Sequence, residues 1–143
     1  MKNENLPEEI NQTLEELWLL IEAKERSYTN FQLNNQQYSL LTLIIRHPSS
    51  TPTELAEKMN ITKSAISQQL VKLEVENYIY RKQHSEDKRI ISVELGEKGL
   101  RYKKEMDRFM QQVSEKYYAS LSPEELTNFL SALQKLTKVI DKL

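Results

Sequence analysis

The sequence predicts a mainly α chain with one small β-hairpin, flanked on both sides by long helices. Three observations carry this. Only two of the 143 residues are Gly and four are Pro, too few turn formers for an all-β fold. Apolar residues follow the 3.6-residue period of a helix near both ends, while strand alternation is clear in one place, where Ile91, Val93 and Leu95 alternate with Ser92 and Glu94. Helix-start signals punctuate the chain twice, at Thr51-Pro52-Thr53-Glu54 and Ser122-Pro123-Glu124-Glu125. Each offers a hydroxyl cap, a Pro at the first helical position and a Glu placed to complete a capping box.

In chain order, the first helix starts at Leu6, carries Ile10, Leu14, Leu17, Trp18, Ile21 and Tyr28 on one stripe, and ends before Asn34. At about 1.5 Å per residue it is some 35 Å long, more than a small core needs. A central helix, Asn35 to Arg46, is apolar nearly all round from Tyr38 to Ile45 and reads as a buried hub. A short helix runs from Pro52 to Met59, and Asn60-Ile61-Thr62 turns the chain into a second helix starting at Lys63. There Asn60 tolerates the left-handed conformation that ends one helix, and Thr62 caps the next. Asn77 has the same terminating role, and strands follow at Tyr78 to Gln83 and Ile90 to Leu95. Leu100, Met106, Phe109, Met110, Val113 and Tyr117 mark another long amphipathic helix, and Leu126, Phe129, Leu130, Leu133, Leu136, Ile140 and Leu143 mark the last.

Two helices joined by three residues must cross steeply. With a hairpin after them they have the order of parts of a winged helix-turn-helix. The second helix has faces of opposite chemistry. Ile66, Leu70 and Leu73 fall in one arc, facing Leu55, Ala56, Met59 and Ile61; the opposite arc holds Ser64, Ser67, Gln68 and Lys72, with Lys63 at the helix start. Short hydroxyls and an amide suit donor and acceptor readout of base edges in a major groove. A face that is merely solvated is the alternative, although such a face carries more Glu. The hairpin tip, His84 to Arg89, offers Lys88 and Arg89 to a minor groove, with Asp87 two residues away to brace the loop. A polar tip facing water is the other reading of the same residues.

The run from Thr51 to Gly99 resembles the core of the MarR family of bacterial transcription regulators (the multiple-antibiotic-resistance regulators). The resemblance is carried by Glu54-Leu55-Ala56, the hydroxyl-rich second helix ending in Leu73-Glu74, Arg81 after the first wing strand, the Asp87-x-Arg89 tip and Glu97-Lys98-Gly99 opening the next helix. Each motif is loose, but their order and spacing together are specific. Asn77 stands where the family has Gly, and Gly96 where it has a capping Thr or Ser, so that helix start is expected to lack a side-chain cap and to fray. The resemblance implies a homodimer whose first and last helices intertwine. It also implies effectors, small aromatic or lipophilic compounds, bound between the dimerisation helices and the DNA-binding lobe. Trp18, Tyr28, Phe31, Tyr38, Arg46 and His47 are candidates to line that cleft, with plain core as the alternative, and no ligand residue is assigned.

The implied organisation is an N-terminal dimerisation helix over 1–33, a winged helix-turn-helix over 34–96 (recognition helix 63–76, wing 78–95) and C-terminal dimerisation helices over 97–143. The net charge of −1 divides unevenly, with −4 over residues 1–33, +4 over 34–104 and −1 over 105–143. The positive segment is the one with the motifs, as suits a chain that turns one face to phosphates. The absence of Cys removes disulfides, thiolate metal sites and thiol redox switches. No leader and no apolar run near 18 residues is expected to span a membrane, which points to the cytoplasm. Two separated His, no Cys and no Gly-rich loop speak against an enzyme, a cofactor or a metal site.

The function expected is that of a homodimeric, sequence-specific regulator of transcription, a repressor occupying a palindromic double-stranded DNA operator and released by a small effector. In it Ser64, Ser67 and Gln68 read the major groove, Lys63, Lys72 and Thr53 touch phosphates, and Arg89 with Lys88 enters the minor groove. The alternative is a winged-helix protein-interaction module without sequence-specific DNA binding, since a fold alone does not fix function.

Overall fold

A computed structural model describes residues 4–28, 30–84 and 86–143. The elements are α1 (Leu6–Tyr28), α2 (Asn35–Arg46), α3 (Pro52–Met59), α4 (Lys63–Val75), β1 (Ile79–Gln83), β2 (Ile91–Leu95), α5 (Glu97–Gln112) and α6 (Pro123–Asp141), with a π-helical stretch at Val113–Tyr117 and a 3-10 turn at Tyr118–Ser120 between the last two. The chain divides into two compact units, Met1–Met106 and Asp107–Leu143.

In the first unit α2 is the hub. It packs on α3, α4 and β2, and its Leu40, Leu41 and Ile44 are buried together with Leu55, Ala56, Ile66, Leu70, Leu73, Tyr78, Ile79, Val93 and Tyr102. Its start is fixed by a reciprocal capping box: the Gln37 N–H donates to Asn34 Oδ1 at 2.8 Å and the Asn34 N–H to Gln37 Oε1 at 3.0 Å. α1 ends at Tyr28, before the Phe31-Gln32-Leu33 stretch, where the Phe31 ring meets the edge of Tyr102 at 5.3 Å between centroids. That aromatic contact draws Phe31 inward from a non-helical segment.

β1 and β2 pair antiparallel from Ile79 opposite Leu95 to Gln83 opposite Ile91. Alternation along β2 makes Ser92 an outward residue, yet it is buried. Its hydroxyl donates to Glu94 Oε1 at 2.9 Å, and the same oxygen accepts from Ser49 Oγ at 2.7 Å. The Ser49-Ser50 segment covers this edge, with the Val93 N–H donating to the Ser50 carbonyl at 2.8 Å.

The start of α5 is also not the frayed end expected for a helix without a side-chain cap. The Gly96 N–H donates to the Tyr78 carbonyl at 2.8 Å and the Lys98 N–H to the Asn77 carbonyl at 3.0 Å. Backbone carbonyls from the end of α4 thus satisfy N–H groups that a cap would otherwise take. On α5 and the π-helical stretch Gly99, Tyr102, Phe109 and Val113 are buried, whereas Leu100 and Met110 of the expected stripe are exposed, and α-helical geometry gives way at Val113.

In the second unit, α6 opens with the expected box: the Glu125 N–H donates to Ser122 Oγ at 3.1 Å, the Ser122 N–H to Glu125 Oε1 at 3.0 Å, and Pro123 sits at the first helical position. Among the described residues no helix is long and apolar enough to cross a membrane.

Candidate nucleic-acid interface

The helix-turn-helix is built on two Asn-terminated helices. At the end of α3, Asn60 adopts φ 55° and ψ 46°. Its N–H donates to the Glu57 carbonyl and the next N–H, of Ile61, to the Ala56 carbonyl, both at 3.1 Å. This is a Schellman motif, with Ile61 turned back onto the core as its apolar contact. The end of α4 repeats it: Asn77 has φ 65°, its N–H donates to the Glu74 carbonyl at 3.0 Å and the Tyr78 N–H to the Leu73 carbonyl at 2.9 Å. The first repeat aims α4 away from α3, and the second launches the wing.

Thr62 starts α4, its hydroxyl accepting from the Ala65 N–H at 3.0 Å. Thr51 caps α3 by accepting from the Glu54 N–H at 3.2 Å, but the box expected there is not closed. The Thr51 hydroxyl itself donates to Glu54 Oε1 at 3.1 Å, which occupies the carboxylate in place of the backbone N–H. With Ile66, Leu70 and Leu73 buried, Lys63, Ser64, Ser67, Gln68 and Lys72 are all exposed on the rest of α4. Thr53, in the first turn of α3, is exposed as well.

At the wing tip Arg89 folds onto Asp87. The guanidinium donates from Nε to Oδ1 at 3.1 Å and from a terminal nitrogen to Oδ2 at 3.2 Å, and the Arg89 backbone N–H reaches Oδ1 at 3.0 Å. The hydrogen bonds to Arg89 hold the Asp87 carboxyl below its ordinary range. This clasp uses two of the guanidinium's five N–H donors, and the Arg89 side chain remains 92% exposed. Lys88 is exposed beside it, and Ser85 at the same tip lies outside the described residues.

Arg81, expected after the first wing strand, lies in the middle of β1. Its Nε lies 3.2 Å from Glu74 Oε2 on α4, an ion pair joining the wing to that helix. Gln69 ties the opposite side of α4 to α2 by donating to Gln36 Oε1 at 2.8 Å. Of the residues considered for a ligand cleft, Trp18, Arg46 and His47 are exposed, whereas Phe31 and Tyr38 are half-buried. The Tyr38 hydroxyl donates to Glu25 at 3.3 Å, and burial pushes the Glu25 carboxyl up. No group of three or more His, Cys, Asp or Glu able to hold a metal occurs among the described residues.

A tightly joined helix pair whose second member bares a largely polar face, followed by a hairpin with an exposed, clasped arginine, has the form of a winged helix-turn-helix. Residues 33–91 match the model of the MarR family. The chain is 29% identical over 106 residues to YwhA, an uncharacterized HTH-type transcriptional regulator of Bacillus subtilis, covering 74% of this chain and 76% of that one. It is 41% identical over 70 residues to an uncharacterized HTH-type transcriptional regulator of Bacillus cereus, spanning about half of each, 49% and 48%. In fold it is similar to FabT of Streptococcus pneumoniae, solved in complex with DNA, with a TM-score of 0.80 over 94% of this chain and 97% of that one at 21% identity. The match to the MarR family model thus falls on the winged helix-turn-helix itself, and the relatives of similar sequence are named HTH-type transcriptional regulators.

Proposed function

We propose that this regulator is a homodimeric repressor that occupies a palindromic operator in the cytoplasm and is released by a small aromatic or lipophilic effector. The observation that carries the reading is the exposed row Ser64, Ser67 and Gln68 on α4, anchored from behind by three buried aliphatics and followed along the chain by the clasped Arg89. In this reading the row reads base edges in the major groove, Lys63, Lys72 and Thr53 with the start of α3 hold phosphates, and Arg89, oriented by Asp87 and helped by Lys88, enters the minor groove.

Dimerisation is supported by apolar surface that each flanking helix leaves uncovered: Leu14, Leu17 and Trp18 on α1, and Leu130, Leu133 and Leu136 on α6. A two-fold pair sets recognition helices about 34 Å apart, one turn of duplex, and doubles the modest +4 of residues 34–104. Release by an effector is supported by the resemblance and by the half-buried Phe31, Tyr38 and Glu25.

The test is selection of random duplexes by the full chain, followed by affinity for the winner and for scrambled DNA at two salt concentrations. A palindrome with half-sites one turn apart and a large specificity ratio is expected. Arg89→Ala is expected to weaken operator binding by roughly 10- to 100-fold, the cost of one specific contact. Unchanged affinity removes the wing from the mechanism. No enrichment, with weak binding that vanishes as salt rises, favours the protein-interaction module instead.

A further inference from the structure

The outward face of α4 is not wholly polar. Val71 is 49% exposed and Val75 75% exposed, although the same helix buries Ile66, Leu70 and Leu73 completely or nearly so. On a helical wheel Val71 lies about 20° from Ser64, 40° from Ser67 and 60° from Gln68, in the middle of the polar row. It is one turn beyond Ser67 and immediately before Lys72. From Ser64 to Val71 the axis advances about 10 Å, the depth of three base-pair steps at about 3.4 Å. A β-branched side chain has no propensity reason to stand exposed at mid-helix, where Ala, Lys or Gln is favoured. What its two methyls offer to a major groove is an apolar contact. In that groove one base alone presents an apolar group, thymine through its C5 methyl. Val75, in the last residue of the helix, lies a further turn past Lys72 and toward the wing.

We infer that Val71 is a specificity-determining residue that packs on the C5 methyl of a thymine within each half-site, adding an apolar reader to the hydrogen-bonding row of Ser64, Ser67 and Gln68. This rests on the reading of α4 as the helix that enters the major groove. The residue supplies what its neighbours cannot: a hydroxyl or amide reads donors and acceptors, whereas an apolar side chain reads the C5 methyl that thymine alone presents.

The experiment uses the full chain and the selected operator. Each thymine is replaced in turn by deoxyuridine, which removes the C5 methyl and leaves every hydrogen-bonding group in place. Affinity is measured by fluorescence anisotropy for the natural chain and for Val71→Ala, a substitution that raises helix propensity on an exposed face and so keeps the fold. For the natural chain, deoxyuridine at one thymine per half-site is expected to weaken binding by about four-fold, the value of one buried methyl. Val71→Ala is expected to bind the thymine operator more weakly and to lose most of its discrimination against deoxyuridine at that position. Sequence-specific binding in which the most sensitive thymine responds equally in both proteins overturns the role of Val71 and leaves the major-groove reading standing. Failure of the natural chain to prefer any duplex overturns both.

Discussion

At the residue scale, two glycines show how a close backbone approach decides an identity. A Cβ added at Gly99 falls 2.1 Å from the Tyr78 carbonyl oxygen, and one at Gly96 falls 2.6 Å from that of Asn77. Both obstacles are backbone, and both carbonyls already accept hydrogen bonds from the start of α5. Gly within a helix costs about 0.5–1 kcal/mol against Ala, yet the clash costs more than Ala returns. Gly99→Ala is therefore expected to lower unfolding stability by about 1–3 kcal/mol, in the range of overpacking. Urea denaturation checks it, and an unchanged or raised midpoint would show that the α4 to α5 junction can give way. Asn60 and Asn77 are the complementary case, held at φ 55° and 65° by the Schellman turns that set the angles of α4 and the wing. Asn is among the few residues other than Gly that enter this region readily.

At the scale of the element, the wing is tied at both ends by charge pairs. Arg81 fastens its base to Glu74 of α4, and Asp87 fastens Arg89 at its tip. A carboxyl held below its ordinary value favours the native loop above that ordinary range, and the preference is lost as pH falls through the lowered value. Because the tip is solvent-exposed, screening keeps the effect local, and a thermal midpoint will not report it. The site-resolved readout is the Asp87 carboxyl chemical shift during an acid titration. Arg89→Ala is expected to move its titration upward toward the usual aspartate range. A curve unchanged by the substitution would mean that the clasp is not populated in solution. The face of α5 belongs to this scale too: turning Tyr102 inward sets its ring perpendicular to that of Phe31, which a stripe counted from Leu100 and Met110 does not anticipate.

At the scale of the whole molecule, the uncovered apolar side chains dominate. Leu17, Trp18, Leu19 and Leu20 of α1 and Leu130, Leu136, Val139 and Ile140 of α6 each expose more than two-fifths of their surface. So many large apolar side chains left exposed on each of the two helices mark association. Sedimentation equilibrium at micromolar concentration is expected to return twice the chain mass of 16.9 kDa. Leu133→Glu with Leu136→Glu is expected to shift the population toward the single-chain mass while the helical circular dichroism signal persists. A natural chain that sediments at the single-chain mass at tens of micromolar would remove the dimer, and with it the palindromic operator.

Much of the fold was legible because its signals are local. The bounds Asn35–Arg46 and Pro52–Met59, the αL turns at Asn60 and Asn77, and the capping box of α6 depend on residues within a few positions of one another. The same holds for the two faces of α4 and for the pairing of Asp87 with Arg89, only two residues apart. What the sequence alone could not settle depends on segments distant along the chain. Ser92 is buried with its hydroxyl on the Glu94 oxygen that Ser49 also reaches, and Gly96 and Gly99 face the carbonyls of Asn77 and Tyr78. Val71 is the converse, an apolar residue that helical spacing sets in the polar row and that the packed helix leaves 49% exposed. Local spacing thus determined the order of elements and the polar face of α4. Tertiary packing decided which side chains are covered, because burial is a property of neighbours brought together by the fold.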